Sequence, residues 1–301
     1  ACDESSYARE AARHLGLPLV EVPVTPERCR DALPHVVAAL EEPVAGPGAL
    51  AQWVVAGEAS RRVRILMGGC GGDELFSGYA RAVALVRDRP PPALRGYSSL
   101  IDRVRGLPPP RRALALLDRR APGLFHGDFL AAHPAPEQAL LAAFAKDGLE
   151  APAAAARAEL RITLPALLQV EDRTTMAFGV EGRVPLLDRR LLRAATRLAA
   201  ADRVDADGVP KALLRRAAAP HLPTAVAERR DKMGFPLPLG DWLRGPWRDL
   251  AGDVFFDRRT RERGMLDPDA LRSALQRPDR YDRGLYAALC LELWCRTFLD
   301  G

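Results

Sequence analysis

The sequence predicts an α/β protein: a parallel sheet with flanking helices, followed by a mostly helical C-terminal half. Two observations support this prediction. Up to about residue 88, short apolar runs alternate with stretches of helical periodicity, which is typical of a parallel sheet. Beyond the proline-rich breaks Pro90-Pro91-Pro92 and Pro108-Pro109-Pro110, the apolar spacing is helical nearly everywhere.

The first part of the chain is predicted to contain three helices and two strands. The helices cover 5–16, 26–40 and 49–60, where apolar residues recur every three or four positions. The strands cover 19–24 and 63–67, which are short apolar runs bounded by turn residues. We expect the second strand to be buried, and a helix to open at Leu75–Tyr79.

The second part is predicted to be almost entirely helical. Helical spacing of apolar residues covers 140–160, 164–178, 189–199, 210–219 and 284–299. The alanine-rich tract at 151–158 is expected to form a surface helix.

Composition excludes several classes of protein. The 301 residues contain 48% hydrophobic residues, but no run of about 18 apolar residues suggests a membrane span. The net charge of +5 comes from arginines scattered among acids, which favours a mixed-charge surface over a nucleic-acid-binding stripe. We therefore expect neither a membrane nor a nucleic acid as partner.

The cysteines indicate a reducing compartment. There are five, an odd number, and none forms a C-x-x-C pair. Cys290 and Cys295 lie in an apolar helical stretch, which favours core packing over metal binding. Reduced thiols, no zinc and a cytoplasmic location are the resulting expectations.

The most informative segment is the glycine turn Gly68–Glu74, which reads Gly-Gly-Cys-Gly-Gly-Asp-Glu. A turn between a strand and a helix directs backbone N–H groups at an anion, and glycine lets the chain approach a phosphate closely. Two carboxylates beside such a turn repel phosphate unless a divalent cation lies between them. The segment therefore suggests a nucleotide–Mg²⁺ site. A glycine turn whose acids merely favour the helix N-terminus is an equally good interpretation of these residues alone.

Two further segments carry candidate site residues. Arg173 lies beside an apolar stripe of a predicted helix that stops near Gly179, and Glu181 and Arg183 follow in a proline-marked loop. Taken alone, these residues favour a salt-bridged helix end. Lys232 is one of only three lysines in an arginine-rich chain, and a compact ammonium can neutralise charge on transferred phosphates. An ordinary surface lysine is the alternative.

Taken in order, these segments resemble the synthetase domain of glutamine-dependent asparagine synthetases over nearly the whole chain. Gly68–Tyr79 is similar to the family pattern S-G-x-G-G-D-E-x-F-x-G-Y, and Val170–Asp188 to D-R-x-[ST]-M-A…E-A-R-x-P-[FL]-L-D. Gly208–Arg215 and Arg230–Trp242 follow the order K-x-x-L-R…R-x-K-x-G-F-x-x-P…W. The resemblance implies an adenine nucleotide alpha-hydrolase-like fold. It makes residues 1–301 one domain, with 1–88 as the remainder of the nucleotide-binding part and 89–301 as the helical part that completes the site.

The resemblance also implies a reaction in two steps. ATP with Mg²⁺ adenylates the side-chain carboxylate of aspartate and releases pyrophosphate; ammonia derived from glutamine then displaces AMP and forms the amide. Motif position implies a role for each candidate residue. Asp73 binds the metal, and the ATP site is bound or shaped by Gly68, Gly69, Gly71 and Gly72. Lys232 and Glu74 are catalytic, and the substrate or its loops are supported by Arg173, Glu181 and Arg183.

The chain departs from the family pattern at three places. The S-G-G-x-D-S pyrophosphatase loop, with the first strand, would precede residue 1, and so would the glutaminase domain, which we expect upstream or in trans. For these reasons we expect little or no turnover from the 301 residues alone. The sequence is compatible with a homodimer and does not decide the oligomeric state. Cys70 stands where asparagine-forming members often carry Glu, a candidate acid/base, and Gly68 stands where they often carry Ser. A specialised amide ligase of the β-lactam synthetase or peptide-macrocyclase type, or an inactive relative that acts as a binding protein, therefore remains open.

Overall fold

The fold is described by a computed structural model that covers residues 3–43, 46–79, 82–83, 106–107, 122–132, 151–229 and 237–300. Two strands lie among these residues, β1 (Ile65–Met67) and β2 (Glu181–Arg183). The helices of the first part are α1 (Ser5–Leu15), α2 (Pro26–Leu40), α3 (Gly48–Ala59), α4 (Gly72–Phe76) and α5 (Gly127–Ala132). Those of the middle are α6 (Ala151–Ala158), α7 (Leu164–Met176), α8 (Arg189–Thr196), α9 (Ala200–Arg203), α10 (Ala212–Ala218) and α11 (Thr224–Ala227). The last are α12 (Leu239–Arg244), α13 (Arg248–Phe255), α14 (Arg258–Arg263), α15 (Pro268–Gln276) and α16 (Arg283–Phe298).

The three helices predicted for the first part are confirmed within about one residue. Helix α1 ends at Gly16, whose φ of 65° is the left-handed conformation that closes a helix. Helix α2 begins after Thr25, whose hydroxyl accepts a hydrogen bond from the Arg28 N–H, and Pro26 occupies its first turn. Local capping signals therefore set these ends correctly.

The strand predictions are less accurate. Residues 19–24 are not a strand: the segment runs irregularly along the surface, with Val22 and Val24 packed on the core and Val20 half exposed. A strand needs a neighbour to satisfy its backbone, and apolar character alone does not supply one. The predicted strand at 63–67 is present only as β1, and the prediction that it is buried is wrong, since Met67 is 78% exposed.

The two strands pair in parallel. Ile65 lies opposite Glu181 and Met67 opposite Arg183. This pairing joins the first part of the chain to the segment after α7, and it brings the carboxyl ends of both strands to the same edge. Ligand sites of parallel sheets lie at that edge.

The helix after the glycine turn lies earlier than predicted. It covers Gly72–Phe76, and Ser77, with a φ of 57°, terminates it. The expected opening at Leu75–Tyr79 is therefore wrong, because the turn closes directly into a helix of only five residues.

The predicted helices of the second part are confirmed wherever the structure describes them, as α6, α7, α8, α10 and α16. Residues 140–150 of one predicted helix lie outside the described residues. A π-helical turn, Glu159–Thr163, joins α6 to α7. The tract at 151–158 is not simply a surface helix, since Ala156 and Ala158 are buried against neighbouring elements.

Two apolar clusters hold the described helices together. The larger packs α2 and α3 against α12, α13, α15 and α16, with Trp247, Phe255 and Tyr286 fully buried at its centre. The thiols of Cys290 and Cys295 are buried as predicted. The smaller cluster joins Leu75 and Phe76 of α4 to Ala195 of α8. Through it, the helix that follows the glycine turn is anchored to the helical second half.

Among the described helices, none combines the length and apolar character needed to cross a bilayer.

Candidate active site

The glycine turn begins where the parallel strands end. The register places Met67 beside Arg183. The next N–H, that of Gly68, donates a 2.8 Å hydrogen bond to the Arg183 carbonyl oxygen. The turn therefore leaves the carboxyl edge of the sheet at a position fixed by both strands.

The glycines of the turn lie in different environments. Gly69 is exposed, and a Cβ built on it meets no atom within 4 Å. Gly71 and Gly72 are buried: a Cβ would lie 2.3 Å from Leu187 Cδ2 in the first case and 3.0 Å from Leu186 Cδ1 in the second. Gly71 also has a φ of 93°. Gly69 thus faces open space, whereas Gly71 and Gly72 permit close packing beneath the turn.

Glu74 lies under the turn and is only 1% exposed. Its Oε2 accepts a 3.0 Å hydrogen bond from the Gly71 N–H, and its Oε1 accepts one from the Tyr79 hydroxyl. This carboxylate joins the glycine turn to Tyr79, which lies just beyond the end of α4. Its contacts are those of a group that shapes the turn.

Asp73 is paired with a lysine to which the sequence analysis assigned no role. The Lys211 Nζ lies 2.8 Å from Asp73 Oδ1, and both side chains are largely buried. Lys211 has a φ of 57° at the residue before α10. The Asp73 carboxylate also packs closely on the backbone, since a Cβ on Gly78 would lie 1.9 Å from its Oδ1. The scarcity of lysine in the chain was the signal that could have singled out Lys211.

A second carboxylate that the sequence analysis did not assign reaches the turn from α7. A Cβ on Gly68 would lie 2.0 Å from Glu171 Oε1, and the Cys70 thiol hydrogen-bonds to the same carboxylate. Burial raises the pKa of Glu171, and this thiol opposes the shift. Burial, together with the negative charges of Glu74 and Glu171, raises the pKa of Cys70 to about 12. Cys70 is therefore a protonated thiol rather than a reactive thiolate.

Of the remaining predicted site residues, two lie next to the turn and a third makes its contacts elsewhere. Glu181 and Arg183 form an exposed ion pair of 2.9 Å on β2, next to the turn. Arg173 points elsewhere: its guanidinium makes two hydrogen bonds, of 3.2 and 3.0 Å, to Glu41 at the end of α2. Lys232 lies outside the described residues.

The side chains at the turn can hold Mg²⁺ only if a bound substrate supplies further oxygen atoms to the metal. Within the described ranges, no three His, Cys, Asp or Glu side chains cluster as a metal site. Mg²⁺ is commonly bound by one or two carboxylates together with substrate phosphates. The Asp73 carboxylate, one turn along the chain from the open Gly69, is the group here that suits that arrangement.

Comparison with known proteins identifies the family of this chain. The family model for asparagine synthase matches residues 1–296. The chain therefore belongs to the asparagine synthase family, a family of ATP-using enzymes with the adenine nucleotide alpha-hydrolase-like fold.

Individual relatives are ligases of this type. Proteins of Mycobacterium bovis and Mycobacterium tuberculosis, provisionally named asparagine synthetase (glutamine-hydrolyzing), are 31% identical over 264 residues, which is 80% of this chain and 40% of theirs. Asparagine synthetase (glutamine-hydrolyzing) 1 of Bacillus subtilis is 26% identical over 280 residues, 85% of this chain and 44% of its own length. The chain thus spans about two fifths of the relatives it matches.

Proposed function

We propose that this chain is the part of an amide ligase that uses ATP to activate a carboxylate as an acyl adenylate. The observation that carries the proposal is the glycine turn at the carboxyl edge of the parallel strands. It combines the open backbone of Gly69 with the Asp73–Lys211 pair. An open N–H group, a carboxylate for Mg²⁺ and an ammonium for phosphate charge are the groups that nucleotide activation needs.

The proposal divides the turn into residues that touch the nucleotide and residues that shape the turn. Gly69, together with the partly exposed Gly68, lines the nucleotide side. Gly71 and Gly72 make the tight bend, and Glu74 acts through its hydrogen bond to the Gly71 N–H. The role proposed for Glu74 is therefore one of positioning.

The proposal also gives a role to the charged residues at and near the turn. Asp73 would hold Mg²⁺, which neutralises the phosphates when it is bound, and Lys211 would add a second positive charge from α10. Lys232 remains the proposed catalytic lysine that offsets charge on the phosphates and the intermediate. Glu181 and Arg183 are proposed to border the acceptor carboxylate, since they flank the start of the turn.

The proposed substrates are aspartate and ammonia from glutamine, because the relatives are named as glutamine-hydrolysing asparagine synthetases. We propose a cytoplasmic enzyme whose ammonia comes from a glutaminase domain, and a homodimer is compatible with it. A specialised amide ligase is the second candidate, and Cys70 and Gly68 favour it because they replace two residues common in asparagine-forming members.

The test is carboxylate-dependent exchange of pyrophosphate into ATP, measured on the complete gene product. Exchange with aspartate would support the proposed synthetase, and exchange with a different carboxylate would identify the specialised ligase. We expect D73N to lower the exchange rate about 100-fold or more, because it removes an electrostatic contact to the transferring group. The control D253N alters an exposed aspartate on α13 and should leave the rate unchanged.

Two outcomes would contradict the proposal. Nucleotide binding without exchange on any carboxylate would identify a binding protein. Exchange that survives in D73N would remove Asp73 and the turn from the site.

A further inference from the structure

A cavity of about 190 Å³ lies behind α4, between that helix and the helices α6, α8 and α9. Its walls are mainly apolar and include Leu75, Ala153, Ala156, Leu160 and Ala195. An apolar cavity of about 150 Å³ is large enough to bind benzene. The space behind α4 therefore suits an organic molecule of about six non-hydrogen atoms.

This cavity lies away from the glycine turn. Leu75, which lines the cavity, follows Asp73 by two residues on α4, and residues two apart on a helix point to nearly opposite faces. Asp73 pairs with Lys211 on its own face of the helix. No glycine of the turn is among the described residues that line the cavity. The cavity and the proposed nucleotide site are therefore on opposite sides of α4.

Arg203 supplies a buried positive charge at the wall of the cavity, since the residue is only 3% exposed. Its Nη1 and Nη2 donate hydrogen bonds to the carbonyl oxygens of Leu75 and Ala195, whereas its buried Nε–H has no acceptor. Among the residues that the structure describes, no carboxylate forms an ion pair with this guanidinium, and burial lowers the pKa of Arg203 without opposition. Arg157 lines the same cavity and brings a second positive charge to it.

A buried guanidinium without an anion indicates the chemistry of a ligand. The two carbonyl oxygens satisfy hydrogen-bond donors, but they do not neutralise the charge, and an uncompensated buried charge is costly. An anion in the cavity would compensate it, and a carboxylate matches the planar fork of a guanidinium. The apolar walls favour an anion with a hydrocarbon body over inorganic phosphate, because such a body gains from burial.

We propose that this chain binds a small aliphatic carboxylate, about the size of butyrate, in the cavity behind α4, with Arg203 as its counterion. Because Arg203 also bonds to Leu75 and Ala195, the bound carboxylate would stabilise the contact between α4 and α8. The site is independent of the proposed function, since the ligand touches no group assigned to the nucleotide.

The binding test titrates the complete gene product with butyrate, by calorimetry and by melting temperature. A ligand that binds only the folded protein raises its melting temperature, so butyrate should do so and should bind saturably. Butyramide is nearly the same size but neutral, and it should bind at least about tenfold more weakly, the usual effect of losing a hydrogen bond to a charged group. Phosphate, which has no hydrocarbon body, should also bind more weakly than butyrate.

Two variants separate the charge from the space. R203M removes the guanidinium, and A156L fills the cavity with a larger side chain while Arg203 stays in place. Each should weaken butyrate binding about tenfold or more. The control A194L alters an exposed residue of α8 and should bind butyrate as the unaltered protein does. Because R203M also loses two hydrogen bonds, circular dichroism checks that it is folded, and A156L decides the question if it is not.

Hydrogen exchange locates the bound molecule without any variant. Butyrate should slow amide exchange in α4 and α8 and leave α13 and α16, which belong to the larger apolar cluster, unchanged. Protection confined to other helices would place the ligand elsewhere and overturn the proposal. So would absence of butyrate binding, equal binding of butyramide or phosphate, or full affinity in A156L. No nucleotide is present in these measurements, so their failure is distinct from failure of the pyrophosphate exchange assay.

Discussion

Gly71 and Gly69 lie two residues apart in the same turn, yet alanine should affect them very differently. At Gly71, alanine must adopt a φ of 93°, and its Cβ would lie 2.3 Å from Leu187 Cδ2. A left-handed conformation costs about 1–2 kcal/mol for a residue with a Cβ, and overpacking typically costs about 1–3 kcal/mol. We therefore expect G71A to reduce the free energy of unfolding by about 2–5 kcal/mol. At Gly69, a Cβ meets nothing within 4 Å, and we expect a change below about 0.5 kcal/mol.

Urea unfolding of the two variants, monitored by circular dichroism, measures this difference. The midpoint should move markedly to lower urea in G71A and remain in place in G69A, with similar slopes in both. The assay requires no substrate and therefore tests the turn independently of any activity. Equal midpoints for the two variants, or a larger loss in G69A, would refute the assignment of Gly71 to the buried bend and Gly69 to the open face.

Two further predictions concern charges away from the turn. Arg203 is 3% exposed and donates hydrogen bonds of 2.7 and 2.5 Å to two helix-end carbonyl oxygens. R203M should lower the free energy of unfolding by about 2–4 kcal/mol, because it leaves both oxygens unsatisfied. A loss below about 0.5 kcal/mol, measured by urea unfolding, would contradict these hydrogen bonds. Asp267 accepts the N–H groups of Ala270 and Asp269 at the start of α15, which holds its pKa below its usual value of 3.8. Because the folded-state pKa is the lower one, this contribution is present above pH 3.8 and is lost as pH falls through the folded-state value. The melting temperature of D267A should therefore lie below that of the unaltered protein at pH 7 and converge with it in acid. D267N keeps a capping oxygen, and its melting temperature should stay close to that of the unaltered protein at every pH. A melting-temperature difference between D267A and the unaltered protein that does not change with pH would contradict the cap.

Local sequence signals determined the helices of this protein and the position of its glycine turn. Thr25 and Gly16 mark helix ends by chemistry that acts within a few residues, and the apolar spacing of α7 and α16 is set by helical periodicity alone. The turn between Met67 and Gly72 was equally visible, because consecutive glycines directly after an apolar run rarely occur inside regular structure. Periodicity did not determine the strands, since pairing joins segments far apart in the chain. β1 finds its neighbour more than a hundred residues later, and residues 19–24 find none in the part of the chain that the structure describes.

The tertiary structure alone decided which side chains meet at the turn. It brought Lys211 to Asp73 and Glu171 to Cys70, although neither pair is close in sequence. It also directed Arg173 to Glu41, away from the turn, and placed Glu74 beneath the turn. Such pairings depend on how α7, α10 and the strands pack together, and packing is a property of the whole chain that no single segment encodes.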